Sequence, residues 1–213
     1  MDIYISDLYN SLAESKKLLV KGDIENAVNF SGQTLAAVDA AWSKMFNART
    51  LDSDTDKLLA EAGICHCKAL ICGGMENMAF STSCTVLFQL TVAGKYSEVP
   101  VILRIELLLI AFTWISEFMQ KRNPEKYAPV REHVSHIACY LYSMLYVSYL
   151  ECSTESDVDI LHSAYMTLKS VEGLIPLIKD GDEVCGRKVS LSDPYEIFVD
   201  LIGRAKASGF FDD

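Results

Sequence analysis

Two histidines spaced three residues apart are the best enzymatic lead in the sequence. His133 and His136 fall in the stretch 129–151, whose apolar spacing predicts a helix, so both imidazoles lie on one helical face. Paired imidazoles ligate metal ions or exchange protons near neutral pH. Their order differs from the His-Glu-x-x-His pattern of zinc proteases, and a third ligand would have to be His66, His162 or a carboxylate. The pair predicts a small helical metalloenzyme or hydrolase, the alternative being partly exposed histidines at a bundle end.

A second candidate metal site lies at Cys65, His66 and Cys67, with Cys72 and Cys84 nearby. The ligands of one metal ion must converge, whereas adjacent residues of a helix point about 100° apart. Cys65 and Cys72 share a helical face, but Cys67 points elsewhere. We therefore favour buried thiols that pack as small hydrophobic side chains over a metal site.

Arg104 and Glu106 interrupt the most apolar stretch of the chain, 99–115. A charge in such a helix needs a partner or a wet cavity. Because they are two residues apart, the two side chains lie on different faces. Two interpretations stay open: each pairs with a charge of a neighbouring helix, or they mark a polar pocket in an otherwise dry stack.

Tyrosines recur at helical spacing in the stretch 129–151, at Tyr142, Tyr146 and Tyr149. Such a stripe is common at contacts between helices, where the ring is buried and the hydroxyl finds a partner. It is also common at binding surfaces. With Arg104 and Glu106, these tyrosines are our candidate binding residues.

The acidic run at 52–56 is similar to the opening of a calcium-binding loop but fails at the diagnostic positions. Lys57 stands where that loop needs glycine, and Gly63 stands where it needs glutamate. We expect these acids to cap the next helix and to favour its dipole. The chain also lacks a glycine-rich phosphate loop, a Gly-x-Ser-x-Gly motif and a dinucleotide fingerprint, so we expect no cofactor.

The charge of the chain narrows the class of partner. Its 213 residues include 19 basic and 29 acidic side chains, for a formal net charge of −10. With no concentrated basic cluster, the chain is a poor ligand for nucleic acid, and its acidity favours a basic partner.

The cysteines and the first residues predict a reducing compartment. Seven cysteines is an odd number, and MDIYISDLYN lacks the positive charge and apolar core of a secretory signal. Charged or polar side chains interrupt the two most apolar stretches, 99–115 and 134–150, so no membrane span is expected. We predict a cytoplasmic protein.

The spacing of apolar residues predicts an all-α fold of about eight helices. They end near 21, 46, 72, 92, 122, 151, 175 and 209, and the fifth begins near Ser97. A small hairpin around Gly186 is expected in the non-helical stretch 180–192. Short connections favour antiparallel neighbours in a single domain, with 1–94 and 95–213 as candidate sub-units. The fourth helix is expected to face inward through Met75, Met78, Ala79, Thr82, Val86 and Leu90.

Two turns resemble the inter-helix turn of tetratricopeptide repeats, namely GDIENA at 22–27 and GKYSEV at 94–99. Their glycines are 72 residues apart, near twice the repeat of about 34 residues, and Leu87 stands where the family has a small residue. The resemblance therefore implies an irregular stack of helical hairpins. It also implies a concave groove that binds a peptide or helix of another protein.

Three functions follow as hypotheses. The first is a cytosolic interaction module that holds a protein or peptide partner, a basic one being favoured. The second is the metalloenzyme or hydrolase built on His133 and His136. The third is a structural homodimer formed through an apolar helical face.

Overall fold

The computed structural model of the chain describes residues 5–121, 158–172, 183–184 and 187–188, together with positions 134, 137, 138, 141, 142, 144, 145, 148 and 151. Within these residues the protein is predominantly helical, which confirms the predicted helical class. Six α-helices are described: α1 (Ile5–Val20), α2 (Ile24–Asn47), α3 (Ser53–Cys72), α4 (Glu76–Val92), α5 (Val101–Lys121) and α6 (Val158–Glu172). A 3₁₀ turn spans Tyr96–Glu98. The predicted helix at 193–209 lies outside the described residues.

The chain divides into two compact units, Met1–Leu103 and Arg104–Asp213. In the first unit α2 packs against α1 and α3, α3 packs against α4, and α1 also contacts α3. Since α3 has neighbours on several sides, it is buried around most of its circumference. Its fully buried residues include Leu58, Leu59, Cys67 and Leu70. Helix α3 is thus the central element of this unit.

Helix α2 presents a single buried stripe that agrees in part with the predicted one. The sequence predicts an inward face of Val28, Ser31, Leu35, Val38, Trp42 and Met45. The buried residues are Ala27, Ser31, Thr34, Val38 and Trp42, whereas Val28, Leu35 and Met45 are half-buried. The predicted inward face of α4 is right at Ala79, Val86 and Leu90 but wrong at Met78, which is 54% exposed. Met78 shares a helical line with Thr82, Thr85 and Gln89, the half-buried face of α4, whereas the buried line runs through Ala79, Ser83, Val86 and Leu90.

Glycine ends the helices that precede the two tetratricopeptide-like turns. Gly22 has φ +75° and Gly94 has φ +67°, the left-handed conformation that costs glycine least. After α1, the N–H of Gly22 donates to the carbonyl of Leu19 and that of Asp23 to the carbonyl of Leu18. This pattern satisfies the last carbonyls of the helix. The glycines in these turns therefore have a conformational reason.

The acids before α3 cap it, as expected. Asp52 Oδ1 accepts the Thr55 N–H at 2.7 Å and the Thr55 hydroxyl at 2.6 Å. These bonds lower the pKa of Asp52, the hydroxyl having the larger effect. The carboxylate therefore satisfies an N–H that has no partner inside the helix.

The start predicted for the fifth helix, near Ser97, is wrong by four residues. Val99 has an extended backbone, with φ −73° and ψ 137°, and α5 begins only at Val101. Val99 precedes Pro100, whose ring disfavours helical torsions in the residue before it. The proline therefore separates the 3₁₀ turn from α5.

In the second unit, the helical positions between 134 and 151 are mostly buried. Those with at most 1% exposure are Val134, Ile137, Ala138, Leu141, Met144, Leu145 and Ser148. Further along, Glu183–Val184 pairs antiparallel with Arg187–Lys188. This strand pair lies in the stretch where the sequence predicts a hairpin. No helix that the structure describes is both long and apolar enough to cross a bilayer.

Candidate functional site

Several residues singled out from the sequence lie outside the described part of the chain: His133, His136, Tyr146 and Tyr149. Tyr142 is described, helical and half-buried, and so is Glu106. Over the described ranges, no three His, Cys, Asp or Glu side chains converge as a metal would require. The histidine pair and the tyrosine stripe therefore stay predictions.

Arg104 is described in full and has a charged partner. Its side chain is 5% exposed, and Nη2 donates to Glu151 Oε2 at 2.7 Å. Glu151 keeps about half of its side chain in solvent, at 46% exposure. The pair matches the first interpretation for Arg104, in which a buried cation is compensated by a carboxylate of a neighbouring helix.

The cysteines of α3 and α4 are mostly core residues. Cys65, Cys67 and Cys84 are buried, whereas Cys72, at the last residue of α3, is exposed. Burial raises the pKa of Cys65, and it raises that of Cys67 to about 12. The Cys67 thiol donates to the carbonyl of Ala79 at 3.3 Å. A thiol held in its protonated form is a poor nucleophile and a poor metal ligand, which applies to Cys65 and Cys67. All three buried cysteines lie in the core, as the packing interpretation expects.

His66, between two of those cysteines, instead belongs to a pocket on the first unit. The pocket has a volume of about 280 Å³ and is formed by α2, α3 and α4. Helix α2 contributes Gly32, Leu35, Ala36 and Asp39; α3 contributes His66; α4 contributes Ser81, Thr82, Thr85, Val86 and Gln89. On α2 these residues fall at i, i+3, i+4 and i+7, and positions 82, 85, 86 and 89 of α4 repeat that spacing. Each helix therefore lends one continuous face to the pocket.

Small residues let the three helices form this pocket. A Cβ atom on Gly32 would lie 3.2 Å from Cε1 of the His66 ring, so the imidazole packs directly over the α2 backbone. A Cβ on Gly63 would lie 2.8 Å from Cγ2 of Val86, which is closer than real contacts allow. Glycine at these two helical positions therefore permits close approach of α3 to α2 and to α4.

Ser31 holds the His66 ring in place. Its hydroxyl lies 3.2 Å from the carbonyl oxygen of Val28 and 2.9 Å from His66 Nδ1. Because a hydroxyl carries one hydrogen, it donates to one of these two atoms at a time. When it donates to the carbonyl, Nδ1–H donates to Ser31 and Nε2 keeps a lone pair; when it donates to Nδ1, the ring hydrogen is on Nε2. Burial lowers the pKa of His66, which keeps the ring neutral at pH 7.

The remaining polar lining combines acceptors with hydroxyl groups. Gln89 Nε2 donates to Asp39 Oδ1 at 2.5 Å, so this bond joins α4 to α2 and fixes the carboxylate. The Thr85 hydroxyl donates to the carbonyl of Ser81 at 2.9 Å, so its oxygen is left to accept. The hydroxyls of Ser81 and Thr82 also line the pocket. Among the described lining residues, Asp39 is the one formal charge, and neither lysine nor arginine is present.

The contact between Ser31 and His66 does not form a catalytic pair. A nucleophilic hydroxyl must be accessible to substrate and must donate to the base that activates it. Ser31 is 2% exposed, so its hydroxyl is closed to a substrate. Ser31 is therefore a positioning residue for the imidazole.

A buried carboxyl elsewhere in the unit is structural. Asp56 is 0% exposed, and the Trp42 indole N–H donates to its Oδ1 at 2.8 Å. Oδ2 has no hydrogen-bond partner among the described residues. Burial raises the pKa of Asp56, against the opposing effects of the Trp42 bond and the Lys95 charge.

Comparison with protein families, with curated proteins and with solved structures finds no match for this chain. The pocket therefore has to be interpreted from its own residues.

Sequence reasoning missed the pocket, although it named His66 as an alternative metal ligand. The lining residues are separated by up to 57 positions along the chain, from Gly32 to Gln89. The signal that was available is the small and polar stripe at 32, 36 and 39 of α2. It runs beside the buried stripe of α2.

Proposed function

We propose that the chain is a protein-interaction module in which the pocket of α2, α3 and α4 receives one side chain from a partner. The observation that carries this proposal is the pair of matching faces on α2 and α4 around a recessed imidazole. The volume of the pocket, about 280 Å³, lies just below the range of about 300–1,000 Å³ typical of sites for drug-sized ligands. A single amino-acid side chain suits that size.

The proposal includes the finer architecture that the sequence predicts. It describes an irregular, tetratricopeptide-like stack of about eight antiparallel helices in a reducing cytoplasm. In such a stack the partner is a peptide or a helix of another protein. The glycine-ended turns after α1 and α4 support it, because each has the left-handed residue that such turns use.

The test is to fill the pocket and measure the loss of a partner. Ala36 is exposed and lines the pocket, so Ala36→Trp places an indole ring at its mouth. Ala13 is also exposed but lies on α1, outside the pocket. Ala13→Trp is therefore the matched control, with the same substitution at another exposed helical alanine.

Each variant, tagged and full length, is incubated with an extract of the cells that express the protein, and bound proteins are quantified by mass spectrometry. We expect a partner that the unmodified chain and Ala13→Trp recover equally and that Ala36→Trp loses by tenfold or more. Equal recovery by all three would place the interaction elsewhere on the surface. Recovery of nothing above the bare resin would contradict an interaction module.

A further inference from the structure

The pocket presents several acceptors around one charge. The Thr85 hydroxyl donates its hydrogen to the carbonyl of Ser81, so its oxygen is left to accept. The Gln89 amide donates to Asp39 Oδ1 and keeps its own carbonyl oxygen as an acceptor. The hydroxyls of Ser81 and Thr82 can donate or accept. Because the charged group of this lining is a carboxylate, a ligand that donates hydrogen bonds is favoured.

The charge of the pocket also favours a ligand that donates hydrogen bonds. Asp39 is its charged lining residue, and its Oδ2 accepts no hydrogen bond among the described residues. His66 adds no positive charge at neutral pH, because burial lowers its pKa. The whole chain is acidic as well, with a formal charge of −10. A cationic donor is therefore favoured locally, and long-range attraction assists its approach.

Among cationic side chains, the geometry favours a planar group with several donors. The acceptors come from two helices, with Asp39 on α2 and with Thr85 and Gln89 on α4, and α3 adds the imidazole ring of His66. An ammonium group is a compact charge with three donors, whereas a guanidinium group has five N–H bonds in a fixed plane. Separated acceptors around a recess match the wider group. A guanidinium can also lie against an imidazole ring, as it does against other aromatic faces.

From this arrangement we infer that the pocket is selective for the guanidinium group of an arginine side chain. Asp39 supplies the charge, Thr85 and Gln89 supply neutral acceptors, and His66 supplies a neutral ring. This inference rests on the proposed function, because it assumes that the side chain belongs to a partner protein. It names the chemistry that the partner must present.

The test uses the full-length protein and three small probes in place of the partner. N-acetyl-arginine amide carries the guanidinium, the citrulline counterpart replaces it with a neutral urea of nearly the same shape, and the lysine counterpart carries an ammonium. Binding is followed by NMR through the imidazole resonances of His66, assigned by loss of the signal in His66→Gln. The comparison between probes needs no variant and therefore does not depend on how a variant folds.

We expect the arginine probe to shift the His66 resonances saturably, the lysine probe to bind at least fivefold more weakly, and the citrulline probe to bind at least tenfold more weakly. Asp39→Asn should weaken the arginine probe about tenfold, since charge-assisted hydrogen bonds are the stronger kind. Glu25→Gln, an equal charge change at an exposed position outside the pocket, should alter it less than twofold. Equal affinity for arginine and citrulline, or for arginine and lysine, would overturn the inference.

The two proposals fail separately. If no probe moves His66 while Ala36→Trp still abolishes capture of a partner, the arginine assignment is wrong and the interaction module stands. If the arginine probe binds as expected while capture is indifferent to Ala36→Trp, the guanidinium specificity stands and the interaction at this pocket is wrong.

Discussion

At the scale of single residues, Asp56 couples stability to pH. Burial raises its pKa in the folded state, so folding favours the protonated carboxyl. The resulting stabilisation is fully present below the unfolded-state pKa of about 3.9 and is lost as pH rises through the folded-state value. The groups whose charges act on it are Lys95, Glu98 and Asp52.

We therefore expect Asp56→Asn to flatten part of the pH dependence of stability. Asparagine keeps an oxygen to accept the Trp42 N–H but cannot ionise, and its amide adds an offset that is independent of pH. The free energy of unfolding, measured with urea from pH 3 to pH 7, should fall relative to Asp56→Asn as the pH rises. Parallel curves for the two proteins would contradict the raised pKa.

Asp52→Asn provides the opposite control. The bonds from Thr55 lower the pKa of Asp52, so its stabilisation is present above the unfolded-state pKa and is lost as the pH falls through the folded-state value. The two acids lie four residues apart on the same helix start, yet they should change the pH profile in opposite directions. A shared direction would show that net charge, and not local environment, determines the profile.

The local sequence predicts the capping role of Asp52 but not the buried carboxyl of Asp56. The acids at 52–56 were expected to cap α3, and Asp52 does so. Nothing in the local sequence distinguishes Asp56, because its environment is created by Trp42 on the preceding helix. The role of His66 is also set by another helix. Its two cysteine neighbours suggest a metal site, whereas its ring packs against Gly32 of α2 and lines the pocket. Such roles depend on contacts between helices, and the spacing of residues along the chain does not predict those contacts.

At the scale of the elements, the contact between α3 and α4 depends on Gly63. Alanine in a helix interior is intrinsically better than glycine by about 1 kcal/mol. Here the added Cβ would lie 2.8 Å from Val86 Cγ2, and a valine side chain is stiff at χ1. We expect Gly63→Ala to destabilise the protein by about 1–3 kcal/mol, as overpacking does. Urea unfolding followed by circular dichroism measures it.

The double variant separates sterics from other causes. Val86→Ala removes the methyl groups that clash, at its own cost for a buried side chain. If the contact is the cause, Gly63→Ala should be neutral or stabilising in the Val86→Ala background, and the two changes should show a favourable interaction energy. Additive losses would mean that Gly63 acts in some other way.

The elements themselves were largely predictable. Helix α2 ends one residue beyond the predicted end near 46, and Ser31, Val38 and Trp42 of its predicted face are buried. The other members of that face, Val28, Leu35 and Met45, are half-buried. Helix α3 is harder to orient, because it is buried on most sides and its sequence has no strong polar face. The pocket lies on a second face of α2 and α4, where small and hydroxyl-bearing residues give no apolar signal. Its existence depends on how closely the helices approach.

At the scale of the whole molecule, the first compact unit holds every residue of the pocket. The unit spans Met1–Leu103 and has its own buried core around α3. We expect the fragment 1–103 to unfold cooperatively in urea, because a domain with its own core folds alone. Its His66 imidazole resonances should have the same chemical shifts as those of the full chain. A disordered fragment would contradict this prediction.

The homodimer hypothesis is also decided at this scale. The large hydrophobic side chains exposed on the described helices include Val20, Phe46, Met78 and Val92. Sedimentation of the full chain at micromolar concentration measures the association state directly. A monomer would rule out a structural homodimer. If a dimer sediments, the same measurement on Ala36→Trp and Ala13→Trp shows whether the pocket takes part in the dimer contact.

The close approach of His66 to Gly32 has an evolutionary consequence. A side chain at position 32 larger than alanine would occupy the space that the imidazole now fills. In any descendant of this protein that acquires such a residue, the imidazole at position 66 must be replaced or must change its orientation. The pocket beside the carboxylate at position 39 is then lost. Positions 32, 39 and 66 should therefore be inherited or lost as one set.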